Sequence, residues 1–369
     1  MPLAQMSPRT KLNLLRILPF GLIWMVIGNV FLYVEWAAMG NSEAAPDTVI
    51  SMTLEIFIFA NLALLFVGLI MGSIEIFYLS RAFSKSSLLK KLILKTLIYV
   101  ILIFVFIIIT YPIAASLESG ENVFHPSVRQ DFFKFFISQT MVSTIVQMII
   151  QIGASLFYSE MSENIGHRVL FNLFTGKYHH PHEEKRIFMF IDMRSSTTLA
   201  EKLGHIEYFK LLKAFHADIS ESIIDTGGQI YQYAGDEVIV TWILQKDSYN
   251  RRWVECFFSM KQDLKQKSKR YQQQFGVVPE FKAGCHVGLV TTGEIGVLKK
   301  EIFFTGDVLN TTARIQGKCN ELGVDLLASG ELLQETTLPS YWHSESLGDH
   351  TLKGKLETVE LFTIVNQQE

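Results

Sequence analysis

The chain has 369 residues, 49% of them hydrophobic and 19% charged, with 28 phenylalanines and a formal net charge of −3. That apolar excess is too high for an ordinary soluble enzyme and too low for a pure transporter. It argues against a disordered chain, a secreted disulfide scaffold and a nucleic-acid binder with a basic face. A division at Glu160 explains the average: residues 1–159 hold 10 Lys/Arg and 8 Asp/Glu, whereas residues 160–369 hold 23 and 28. The first part has membrane composition and the second that of a globular domain.

Four stretches carry no charged side chain: Ile17–Val34, Ile56–Ile74, Thr96–Leu117 and Phe135–Ser159. At about 1.5 Å rise per residue even the shortest spans about 27 Å, close to the hydrocarbon thickness. Trp24, Tyr33 and Trp36 are available as interfacial anchors. The first stretch lacks a small-residue cleavage site and is read as a mature helix. Arg9, Lys11 and Arg16 precede it, and Arg81, Lys85, Lys90, Lys91 and Lys95 lie between the second and third spans, whereas the first loop holds only Glu35, Glu43, Asp47 and Glu55. The positive-inside rule puts both termini in the cytoplasm and predicts a multi-pass protein of the inner (plasma) membrane, in contact with lipid.

No histidine falls in any span, so no haem is expected. Glu55 and Glu75 bracket the second span at its ends. The fourth carries Gln139, Ser143, Gln147, Gln151, Ser155 and Ser159, four apart on one winding ridge, which suits interhelical or dimer-interface hydrogen bonding better than a ligand site.

From Glu160 to Lys177, apolar Ile165, Val169, Leu170, Leu173 and Phe174 recur at helical spacing, with Gly176 as C-cap. This predicts a linker helix that continues the fourth span, either a transmitter or a plain spacer. His179, His180 and His182, with Pro181 among them, read as a solvated loop rather than a metal tract. A strand follows over Arg186–Ile191, then a helix from about Ser196 to Asp225 that stops at Gly227-Gly228. Gln229–Tyr233 and Val238–Ile243 are strands around the turn Ala234-Gly235-Asp236-Glu237. A helix over about Asn250–Gln274 precedes strands at Phe281–Val290 and Glu301–Thr305, then a helix from Gly306-Asp307 with Asp307 as N-cap.

The order strand–helix–strand–strand–helix–strand is ferredoxin-like. The expected architecture is therefore a four-helix transmembrane bundle (1–159), a helical linker (160–183) and an α/β (α+β) domain (184–369). Cys256, Cys285 and Cys319 lie in that last domain in no metal-ligand spacing, as reduced thiols would.

Asp192 at a strand end and Asp236 in the adjacent hairpin form a pair of hard oxygen donors, as Mg²⁺ bound to substrate phosphates requires. The turn Arg194-Ser195-Ser196-Thr197 opens a helix whose N–H groups suit phosphate oxygens. Asn310 and Arg314, four apart, face the same way and suit a transition-state clamp, and Lys353 in Leu352-Lys353-Gly354-Lys355 suits polyphosphate. Each of these has a bland alternative as a turn former or a solvated surface charge.

Taken together, Phe190–Gly204 (FIDMRSSTTLAEKLG), Ile230–Trp242 (IYQYAGDEVIVTW), Phe303–Ile315 (FFTGDVLNTTARI) and the closing LKGK resemble the catalytic domain of class III nucleotidyl (adenylate/guanylate) cyclases over roughly 184–369. The resemblance implies a homodimer with composite sites. One protomer would supply Asp192 and Asp236, with the main chain of Ile191 or Met193, to two Mg²⁺ or Mn²⁺ ions. The other would supply Asn310 and Arg314. Ser195, Ser196, Thr197 and Lys353 would bind the triphosphate of a nucleotide, and the implied reaction is cyclisation to a 3′,5′-cyclic nucleotide with release of pyrophosphate.

The sequence departs from the family where the base is selected. Gln232 stands at the usual Lys and Phe303 at the usual Asp, Thr or Ser, with Thr305 on the same strand face as Phe303. Gln offers both donor and acceptor and serves adenine or guanine. A phosphate-binding Arg of some relatives is Leu289 here. ATP is favoured because adenylate cyclases are the commoner case. The alternatives are a guanylate or other nucleotide cyclase, and a catalytically weak cyclase-like receptor module. A diguanylate cyclase is disfavoured by Ala234 and by the downstream NTTAR helix.

Overall fold

The computed structural model describes residues 6–39, 53–83, 86–244, 248–298, 300–355 and 357–366. Glu43, Asp47 and Lys85, and the side chains of Glu35, Trp36 and Gln139, lie outside the described residues. The chain divides into two compact units, Thr10–Phe171 and Asn172–Glu369 with Met1–Arg9.

The first unit contains α1 (Pro8–Met39), α2 (Leu54–Ile74), α3 (Leu88–Ser119), α4 (Pro126–Ile137) and α5 (Gln139–Ile165), and α6 (His167–Thr175) begins at its end. Four helical segments, Pro8–Val34, Leu54–Ala82, Leu88–Ser119 and Met141–Ile165, are long and apolar enough to cross a membrane. The fourth differs from expectation, because Ser138 leaves helical geometry and its side chain accepts the Met141 N–H at 3.2 Å. Phe135 thereby ends up in α4, where its ring stacks on Tyr111 at 4.4 Å. The linker is likewise broken, since Gly166 (φ 92°) separates α5 from α6 where one continuous helix is expected.

The polar ridge of α5 turns inward. Gln151 donates to the Trp24 carbonyl at 3.1 Å, Trp24 Nε1 donates to Ser155 Oγ at 3.0 Å, and Ser159 donates to Glu75 at 2.7 Å. Trp24 is thus a buried strut rather than an interfacial anchor. Glu75 sits in a π-helical turn, Glu75–Leu79, that extends α2. It is fully enclosed and accepts from Tyr99 at 2.6 Å as well as from Lys95. Where periodicity leaves a carboxylate at a span end, packing provides Lys95, Tyr99 and Ser159 as donors, and Ser80 in the next turn adds a fourth at 3.4 Å.

The second unit is an eight-stranded mixed sheet: β1 (His182–Met193), β2 (Gln229–Ala234), β3 (Glu237–Ile243), β4 (Phe281–Ile295), β5 (Glu301–Thr305), β6 (Leu326–Ser329), β7 (Trp342–Thr351) and β8 (Thr358–Asn366). Strand order is β2-β3-β1-β4-β6-β8-β7, with β5 paired to β4; β4 and β6 run parallel and the other pairs antiparallel. Helix α7 (Ser196–Asp225) bends at Gly204 (φ 75°), and the helix expected over 250–274 is two, α8 (Arg252–Gln266) and α9 (Ser268–Phe275), parted at Lys267. Helix α10 (Asp307–Leu322) has Gly306, not Asp307, at its N-cap, and a short α11 (Gly330–Gln334) precedes β7.

Alternation along β1 sorts its side chains between two faces. Ile187, Met189, Ile191 and Met193 pack with Leu211, Phe215 and Ile219 of α7 and with Trp253, Phe257 and Met260 of α8. Phe188 and Phe190 point the other way, to Phe304 of β5 and Val308 of α10. Asp192 shares that second face by the same alternation. The three cysteines are buried and unpaired with one another, and burial pushes the Cys256 thiol up to about 12.

Candidate active site

Asp192 is the penultimate residue of β1, flanked in register by Glu237 of β3 and Lys282 of β4. Asp236 occupies the β2–β3 turn beside Gly235, whose φ of 67° suits glycine. The two carboxylates converge. Burial, and then the Asp236 carboxylate at hydrogen-bonding reach, push the Asp192 carboxyl above its ordinary value, and the Lys282 ammonium opposes both. Glu237 is pushed up in the same way, by burial first and then by the charges of Asp192 and Asp236. Three acids crowded at one strand end form a region of negative potential that a divalent cation relieves.

Two donors hold Asp192 on one side. Lys282 Nζ lies 3.2 Å and Gln316 Nε2 3.1 Å from the same oxygen, Oδ2. Neither residue is legible as functional in sequence, because a Lys in a strand and a Gln in an amphipathic helix carry no local signal. Tyr208 of α7 also faces the acids. Its hydroxyl is pushed up by burial and then by the Asp236 charge, against a hydrogen bond with Ser196.

Between β1 and α7 the chain turns sharply, and Ser195 adopts left-handed geometry (φ 54°, ψ 29°), the one non-glycine to do so among the described residues. The Arg194 side chain leaves the site for Asp325 (2.8 Å) and the Val324 carbonyl (2.9 Å), so the turn offers backbone and hydroxyls at Ser195, Ser196 and Thr197 at the start of a long helix.

A second group forms on α10. Val308, Thr311, Thr312, Ile315 and Gln316 face the sheet, which leaves Asn310 exposed and Arg314 half-buried on other faces. The Arg314 guanidinium packs against the β7–β8 turn, 3.5 Å from where a Cβ on Gly354 would lie, beside exposed Lys353. Lys355 pairs instead with Asp307 at 2.9 Å. Within the protomer it is Gln316, not Asn310 or Arg314, that reaches Asp192.

A third group joins β2 and β5. The Phe304 N–H donates to Tyr231 Oη at 3.5 Å, and the two rings lie 4.9 Å apart. Their neighbours Gln232, Phe303 (42% exposed) and Thr305 are left at the surface of the two strands. Leu289 is exposed on β4.

The donor set at the acids fits a hard divalent ion: carboxylate oxygens of Asp192 and Asp236, with the main chain of Ile191 and Met193 beside them. Among the described residues no group of three His, Cys, Asp or Glu forms an all-protein metal cage. A cation here would complete its shell with water or substrate oxygens.

The mixed sheet with its helices has the fold of solved cyclases. It is similar to the structure of a bacterial light-regulated adenylyl cyclase, with TM-score 0.51 and 21% identity over 60% of this chain and 64% of that one. Residues 178–366 match the family model described as the adenylate and guanylate cyclase catalytic domain, and the chain belongs to that family. It is similar to "Adenylate cyclase 2" of Rhizobium meliloti (strain 1021), 31% identical over 60% of this chain and 61% of that protein. It is also similar to "Adenylate cyclase 1" of the same strain, 24% identical over 48% of this chain and 27% of that protein. The matched region is therefore less than two thirds of either relative's length.

Proposed function

We propose that this protein is a membrane-anchored adenylate cyclase that converts ATP to 3′,5′-cyclic AMP and pyrophosphate at composite sites of a homodimer. The observation that carries the reading is the separation of two groups within one protomer. Asp192 and Asp236 converge at the β1 end, while Asn310 and Lys353 are exposed on α10 and the β7–β8 turn, with Arg314 half-buried between them. A twofold partner brings each half to the other's complement.

In this reading the ribose 3′-oxygen attacks the α-phosphorus, its hydroxyl proton passes to solvent, and the bond to pyrophosphate breaks. Asp192 and Asp236 would hold Mg²⁺ or Mn²⁺, which would supply Lewis acidity to the phosphoryl transfer. Asn310 orients the nucleotide by hydrogen bonding, and Arg314 neutralises charge that grows on the phosphorus as the fifth bond forms. Lys353 and the N–H groups around Ser195, Ser196 and Thr197 hold the polyphosphate. Gln232, Phe303 and Thr305 meet the base, and ATP is supported by the names of the similar relatives.

The charge asymmetry of the loops supports four membrane crossings with the catalytic unit on the cytoplasmic side. Incubating the purified protein with each of ATP, GTP, CTP and UTP and Mn²⁺, with products identified by mass spectrometry, tests the reading. Cyclic AMP as the main product supports it; no cyclic nucleotide from any of the four refutes it.

A further inference from the structure

The Gln316 contact with Asp192 is built rather than incidental. Helix α10 rests on β4 at Gly284, where a Cβ would come within 2.3 Å of the Gln316 nitrogen and 2.6 Å of its Cα. Any side chain at 284 would therefore lift the helix at the turn that carries Gln316. Gly284 pairs with Phe190, two residues before Asp192 on the same face of β1. The glycine thus seats residue 316 over the strand end, where Gln316, 7% exposed, reaches Oδ2 with its amide at 3.1 Å. Lys282, 8% exposed and adjacent in register to Asp192, shares that oxygen at 3.2 Å.

At 100° per residue, Gln316 lies about 200° around the helix from Arg314, on its opposite side. We propose that Gln316 is a positioning residue: its amide locks the Asp192 carboxylate through Oδ2, so that Oδ1 is aimed at the cation. One rigid helix then serves both active sites of the dimer, gripping substrate in one with Asn310 and Arg314 while setting the metal carboxylate of the other. This rests on the composite-site reading above.

Full-length heterodimers test it, assembled from an Arg314→Ala subunit and an Asp192→Ala subunit, so that one site is intact. Gln316→Met keeps the length and helical propensity of the side chain and removes the donor. Placed on the subunit that retains Asp192, it raises the Mn²⁺ concentration for half-maximal rate by roughly tenfold, the scale of a lost outer-shell partner, and kcat recovers at saturating Mn²⁺. Placed on the subunit that carries Asp192→Ala, it leaves that concentration unchanged.

The Gln316→Met homodimer, titrated with Mn²⁺ alone and followed by electron paramagnetic resonance, binds roughly tenfold more weakly than the unmodified protein. Equal effects from both placements, or unchanged Mn²⁺ binding, overturn the positioning role. A heterodimer that is inactive even with Gln316 intact overturns the composite site itself, which separates the two failures.

Discussion

Asp192 and Asp236 are placed by different local rules, one by β-alternation that carries it onto the α10 face and the other by a turn that glycine permits. Like charges brought this close oppose folding while nothing neutralises them. Asp192→Asn and Asp236→Asn are both expected to lower kcat by at least about a hundredfold, and Asp236→Asn to do so without lowering the melting temperature of the metal-free protein, whereas Asp192→Asn also leaves the buried Lys282 ammonium without its carboxylate. Cyclase assays paired with thermal melts check this, and a parallel loss of activity and stability in Asp236→Asn would point to a structural role. Arg314→Ala is expected to cost about 10²–10³ in kcat, the scale of a lost transition-state donor. At the proposed base-reading surface, the double change Gln232→Lys, Phe303→Asp is expected to raise the ATP/GTP ratio of kcat/KM, and an unchanged ratio would show that these positions do not read the base. The candidate acids, Asn310, Arg314 and Lys353 stand out in the linear chain because each lies in a short block that resembles the family's motifs. Gln316 and Lys282 carry no such local signal, since their contacts with Asp192 arise only where α10 and β4 meet the end of β1.

Element existence followed closely from periodicity: β5 occupies Glu301–Thr305 as expected, and α7 covers Ser196–Asp225, although Gly204 interrupts it. The breaks did not. Ser138 and Gly166 interrupt apolar or helical runs whose periodicity continues across them, because a capping hydroxyl and a positive φ leave the hydrophobic pattern unmarked. Glu75 shows the same limit, its enclosure by Lys95, Tyr99 and Ser159 being a product of helix packing. Removing one partner of an enclosed ion pair strands the other, so Glu75→Leu or Lys95→Leu alone should destabilise the helical unit by about 3–5 kcal/mol, and the double change by less. A double-mutant cycle on melting in detergent measures the difference.

In the sheet unit, Asp325 joins the β1–α7 turn to α8 by accepting from Arg194 and from Lys261 at 2.7 Å. Despite partial burial, which acts upward, Lys261 and Arg194 hold its carboxyl below the ordinary value. Its contribution is therefore present above the unfolded value of about 4 and is lost as pH falls through the lower folded one. Asp325→Asn is expected to flatten that acid-side decline and to cost below about 1 kcal/mol at neutral pH, because the pair is partly exposed.

At the scale of the molecule, two kinds of composition in one chain become two compact units, one with four helices apolar enough for a membrane and one with a cyclase sheet. The proposed catalysis requires a third level, a pair of chains, because each protomer presents its acids and its Asn310–Arg314 face as separate halves. The most direct test mixes full-length Asp192→Ala and Arg314→Ala subunits, each inactive alone, and measures cyclic AMP formed. Random pairing makes half the dimers mixed with one intact site apiece, so the account predicts recovery of roughly a quarter of the unmodified rate. A mixture as inactive as its components, with mixed dimers shown to form, would contradict it.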